Sequence, residues 1–87
     1  MGFEVLRSRK GGYVKADVIM KLDALNEVIY GLENGMPREQ ALSELKKAEQ
    51  TEMRREKGGF FGAAGFDVDD TDAYIADLIA KIKDLAR

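Results

Sequence analysis

Eighty-seven residues, 45% hydrophobic and 34% charged, are enough for one small core and exclude a collagen-like or compositionally disordered chain. The absence of both Cys and His removes disulfides, Cys/His zinc sites, thiol nucleophiles and imidazole bases together, so no catalytic residues, metal site or cofactor is expected. Fourteen basic against 16 acidic residues give a net charge of −2, which is not the balance of a nucleic-acid-coating protein.

No stretch reaches the roughly 18 to 20 apolar residues of a membrane span, and Met1 to Lys10 lacks the apolar centre of a leader. The expectation is a cytoplasmic chain, at most peripheral at the inner face of a membrane. Phe3 to Leu6 could start as a short extended arm, and Arg7, Arg9 and Lys10 read as a solvated basic stretch before Gly11 and Gly12. Beyond that arm, no alternation strong enough to specify a strand is seen.

The first helix is predicted from about Lys15 to Asn34. Val18, Leu22, Leu25, Ile29 and Leu32 follow one another at spacings of 4, 3, 4 and 3, a heptad seam that packs best against another helix. Asn34 and Gly35 suit a left-handed C-terminal cap. Pro37 and Glu39 open a second helix, predicted to 57 as a connector, with Ala41, Leu42, Leu45 and Ala48 as a thin apolar stripe. From Gly58 to Gly65 the chain has four glycines in eight residues and no helical period, with Phe60 and Phe61 at its centre. Asp67 is a good N-cap for a third helix, Asp69 and Asp70 favour its first turn, and Ile75, Leu78, Ile82 and Leu85 renew the seam.

A pattern recurs at an offset of 53, from Tyr13 to Phe66. Gly12, Tyr13 and Asp17 match Gly65, Phe66 and Asp70; Val18 matches Thr71, and Leu22 and Leu25 match Ile75 and Leu78. Each unit turns the chain on glycine, staples the turn with an aromatic ring and sets an acid in the first helical turn. The domain reading is one helical domain over 1–87, with repeat units 3–33 and 60–86 and a connecting helix 37–57. The two repeat helices are expected to pack together as a pseudo-symmetric pair, with the second helix bridging them.

The unit resembles the N-terminal motif of the DivIVA/GpsB family, bacterial division and polar-growth scaffolds. The second copy matches better: Phe61 stands for the leading aromatic, Gly65-Phe66-Asp67 for Gly-Tyr-Asp, Asp70-Thr71-Asp72 for Glu-Val-Asp, and Tyr74-Ile75 for Phe-Leu. In the first copy Gly12-Tyr13, Asp17-Val18 and Leu22-Asp23 fit, whereas Val14, Ile19 and Lys21 do not. The resemblance implies a parallel coiled-coil dimer whose aromatic and basic pre-helix loop enters a membrane surface or lies near a groove for basic peptides. The family's paired acids are reduced here to Asp23 opposite Ile19 and Asp72 opposite Ala76.

Other chemistries fit less well. The acids from Asp67 to Asp72 begin like a calcium loop, but Asp72 stands where that loop needs glycine and Leu78 where it needs glutamate. Gly62 to Gly65 lacks the lysine and hydroxyl of a phosphate loop. A helix-turn-helix regulator would face phosphates with the acidic start of the third helix. Phe60 and Phe61, beside Arg54, Arg55 and Lys57, either fold back onto the helical core or protrude as a contact for anionic membrane or a partner protein.

The reading is therefore an all-α, three-helix domain and a non-enzymatic, self-associating scaffold or adaptor of bacterial division or envelope machinery. Its self-association seam is Val18, Leu22, Leu25, Ile29, Leu32, Ile75, Leu78, Ile82 and Leu85. Narrow stripes in so short a chain favour a homodimer. A protein-interaction module that docks its Phe-rich loop in a partner without lipid is the alternative.

Overall fold

The computed structural model describes residues 6–58 and 62–87. Along the chain these form β1 (Ser8–Lys10), α1 (Lys15–Glu33), α2 (Arg38–Gln50), β2 (Ala64–Phe66) and α3 (Val68–Leu85). The extended start expected at Phe3 to Leu6 and the ring pair Phe60 and Phe61 fall almost wholly outside the described residues; Leu6, at the edge, is buried. No helix is long and apolar enough to cross a membrane among the described residues.

The three expected helices form, and their ends have local causes. α1 closes with Met36 N–H on the Gly31 carbonyl and Gly35 N–H on that of Leu32. Gly35 supplies the left-handed backbone (φ 96°) that this closure needs. α3 starts at Asp67, whose carboxylate accepts from Asp70 N–H at 2.9 Å.

The connector is shorter than its sequence pattern predicts. α2 stops at Gln50 instead of running to 57, because Lys21 of α1 reaches across and donates to the carbonyls of Glu49 and Thr51. Its ammonium caps the helix and favours the negative end of the dipole. The chain beyond is extended: Val14 N–H donates to the Arg54 carbonyl, Glu56 N–H to that of Gly12, and Tyr13 bridges Arg55.

A second departure is a small antiparallel sheet. β1 pairs with β2 in the register Ser8 to Phe66, Arg9 to Gly65 and Lys10 to Ala64. Strands of three residues are too short to display an alternation, so their pairing is dictated by what they meet in space. Arg7, Arg9 and Lys10 thus form an arm that is exposed to solvent, as expected, and also ordered by this pairing.

The sheet holds the starts of α1 and α3 together, and the C-terminal end of α3 reaches the start of α2 through an Arg38 donation to the Ala86 carbonyl. α1 and α3 therefore run parallel, while α2 returns antiparallel along α1. α2 packs mainly along α1 and touches α3 at its C-terminal end. The molecule measures 48 × 23 × 15 Å. Val18, Leu22, Leu25 and Ile82 are fully buried, with Ile29 and Ile75 nearly so, and α2 adds Ala41, Leu45 and Ala48. Each large aliphatic removed from water contributes about 2 kcal/mol.

Candidate functional site

The two sequence units meet head to head at the base of the helices. Tyr13 N–H donates to the Phe66 carbonyl and Phe66 N–H to that of Tyr13, both at 2.9 Å, so a local two-fold axis passes between them. A Cβ on Gly12 would lie 2.2 Å from the Phe66 carbonyl oxygen, and one on Gly65 2.1 Å from that of Tyr13. Both repeat glycines are thus required by the close approach of two backbones.

Around this axis the bonds occur in matched pairs. Val14 N–H donates to the Arg54 carbonyl at 2.8 Å, and Asp67 N–H to the Arg7 carbonyl at 2.7 Å. Arg54 grips Asp17 with its backbone N–H (3.0 Å), Nε (2.8 Å) and Nη2 (3.0 Å). Arg7 grips Asp70 with the same three groups at 3.1, 2.9 and 3.1 Å. Each acid sits in the first turn of its helix and is held by an arginine of the other unit's arm. The guanidinium hydrogen bonds, then the backbone donors, bring Asp17 and Asp70 from the ordinary 3.8 down to about 2.

The symmetry breaks at the rings. Tyr13 OH donates to Asp72 at 2.9 Å, and desolvation followed by that bond raises the phenol's pKa. Phe66 has no hydroxyl, and the residue at Asp72's equivalent position is Ile19, so this bond has no counterpart in the other copy. Lys15 Nζ lies 5.2 Å from the Phe66 ring centre, and the Arg55 guanidinium 5.9 Å from that of Tyr13.

Of the contact residues expected from sequence, Arg54 and Arg55 are drawn into the junction. Arg54 holds Asp17, and Arg55 donates to the Gly11 carbonyl at 2.6 Å. Lys57 is exposed, and Phe60 and Phe61 lie outside the described residues. The helix-start residues Gly12, Tyr13, Asp17, Gly65, Phe66, Asp70 and Asp72 all converge here, and Asp67 adds an ion pair with Arg9 at 3.4 Å. Arg7 was not recognisable as their partner. Arg7 precedes its aromatic by six residues and Arg54 by twelve, and that unequal spacing hides their equivalence.

The seam residues turn inward within one chain. Val18, Leu22, Leu25, Ile29, Ile75 and Ile82 are buried between elements, Leu32 and Leu78 are half-buried, and Leu85 remains 41% exposed. Two open grooves flank them. One of about 510 Å³ separates α1 from α2 and includes Met20, Asp23, Glu27, Val28, Met36 and Glu44. The other, about 790 Å³, lies on the α1–α3 face, with Ile29, Ala73, Tyr74, Asp77, Leu78 and Lys81 among its walls.

No family model, curated protein or solved structure matches the chain.

Proposed function

We propose that this chain is a non-enzymatic, self-associating scaffold or adaptor of bacterial division or envelope machinery, as its likeness to the DivIVA/GpsB motif implies. The observation that carries this reading is the reciprocal pair of arginine clamps, Arg54 on Asp17 and Arg7 on Asp70. They make the two motif copies one junction and hold two parallel helices in an elongated unit with open lateral grooves. Such an object presents surfaces along its length.

Phe60 and Phe61 are its partner contact, and a protein partner is favoured over lipid. Asp17 engages the charge of Arg54, and Arg55 is turned onto Gly11 and Tyr13, so two of the three cations beside the rings serve the fold. An anionic bilayer would gain only about 1 kcal/mol from each cation left to it, against a net negative molecule.

The test is co-sedimentation with anionic and neutral vesicles, using the wild-type chain and Phe60→Ala/Phe61→Ala, with oligomeric mass measured in parallel. An oligomer that stays in the supernatant with both vesicle types supports a protein-directed adaptor. Salt-sensitive pelleting with anionic vesicles that the double variant loses would make the rings a membrane anchor instead. A strictly monomeric chain would remove the scaffold reading.

A further inference from the structure

The local two-fold axis offers a way to ask what α3 lacks. Stepping by 53 residues, the face of α1 that α2 covers has a counterpart on α3. On α1 that face contains Lys21, Ala24, Val28 and Leu32; Lys21 donates to α2's last carbonyls, and Ala24 and Val28 line the groove shared with α2. The equivalent positions on α3 are Tyr74, Asp77, Lys81 and Leu85. Tyr74, Asp77 and Lys81 line the open 790 Å³ groove, together with Leu78. α3 thus carries two stripes. Thr71, Ile75 and Ile82 are buried on the inner side, while Tyr74, Leu78, Lys81 and Leu85, spaced 4, 3 and 4, form a second stripe. Tyr74 and Leu78 rest one edge on the core, and no helix among the described residues lies along their outer side as α2 lies along α1.

We infer that the outer stripe of α3 is a homodimer interface, in which α3 of a second copy lies antiparallel along it, as α2 lies along α1. The occupant is chosen by charge. Asp77 and Lys81 face this groove, and among the described residues neither has an ion-pair partner in its own chain. In an antiparallel pair related by a two-fold axis, Asp77 meets Lys81 of the partner subunit, and Lys81 meets Asp77 of the partner subunit. The same axis sets Tyr74 against Leu85 of the partner subunit and Leu78 beside Lys81 of the partner subunit, with the two Leu78 side chains within one turn of each other. The stripe is self-complementary when reversed. A parallel pairing would place Asp77 on Asp77 of the partner subunit and Lys81 on Lys81 of the partner subunit, so like charges exclude it. The pairing explains why Leu85 stays 41% exposed in one chain and why Tyr74 and Leu78 stay half-exposed at a helix otherwise buried on its inner stripe.

This deepens the self-association part of the proposed function and rests on it. The experiment is sedimentation equilibrium of the full chain, of Asp77→Lys, of Lys81→Asp, and of an equimolar mixture of the two variants, with far-UV circular dichroism to verify folding. The wild type is expected at twice its 9.7 kDa mass. Each single reversal sets like charges face to face and is expected to weaken the dimer by at least about tenfold. The mixture is expected to recover it, because lysines at 77 and 81 of one chain then meet aspartates at 81 and 77 of the other. Dimerisation unaffected by the reversals, or a mixture that stays monomeric, overturns the α3 interface while leaving self-association through another surface intact. A monomeric wild type overturns both.

Discussion

The two halves of this chain start from the same local instructions and reach different environments. α1 and α3 both follow a glycine, an aromatic ring and an acid in the first turn, and both are tied at that turn by an arginine from the opposite arm. From there α1 is covered on two sides, by α3 and by α2, whereas α3 is covered on one. The difference shows that the motif specifies the junction and the first turns only. What surrounds the rest of each helix depends on the next segment of chain: a short turn after α1 sends α2 back along it, and α3 has no such return among the described residues.

Substitutions at equivalent positions measure that asymmetry. Leu25 and Leu78 correspond, yet Leu25 is fully buried and Leu78 half-exposed. Leu25→Ala is expected to cost about 3 kcal/mol in urea unfolding at low protein concentration, and Leu78→Ala about 1 kcal/mol. Equal losses would mean that α3 is as enclosed as α1.

The clamps should behave as equals. Arg7→Ala and Arg54→Ala are expected to lower Tm by the same amount, since each removes two matched guanidinium bonds and leaves the backbone one. Acid provides the same comparison without mutation. Asp17 and Asp70 each titrate near 2 in the folded chain against the ordinary 3.8, so the folded state binds fewer protons than the unfolded state over that interval. Their stabilisation is complete above about pH 4 and falls away as the pH drops toward 2. Asp17→Asn and Asp70→Asn should each flatten part of that acid limb in a Tm-versus-pH series.

Smaller effects come from places where one copy is worse built than the other. Thr71 occupies the position of Val18 in the second copy, fully buried with its hydroxyl unpartnered. Thr71→Val is expected to stabilise by about 1 kcal/mol, read by urea titration. Tyr13→Phe, which gives the first copy the ring of the second, should cost about 0.5 kcal/mol through its lost bond to Asp72 and leave the fold unchanged by circular dichroism.

The helices were legible because their apolar spacing and caps are local: the Gly35 closure and the Asp67 cap lie where the sequence pattern predicts them. The repeat was legible for the same reason, as a glycine, a ring and an acid that recur at one offset. The missing part was everything decided between distant segments. α2 continues in sequence to 57 because nothing in its residues stops it; the stop is Lys21, from the preceding helix. Arg54, Arg55 and Lys57 look like one basic cluster, yet the first two are held by Asp17 and Gly11, more than 35 residues away. β1 and β2 are specified only by each other.

The crossed clamps also set an order of assembly. The Asp17–Arg54 and Arg7–Asp70 contacts span 37 and 63 residues, whereas α1 and α2 are joined by a short turn. The first joins residues that α1 and α2 bring together, so it closes with that helical hairpin, whereas the second closes the longer loop and needs α3 in place. The Asp17–Arg54 clamp is therefore expected to form with the hairpin and the Arg7–Asp70 clamp with the docking of α3, an order that folding and unfolding rates of Arg54→Ala and Arg7→Ala would read.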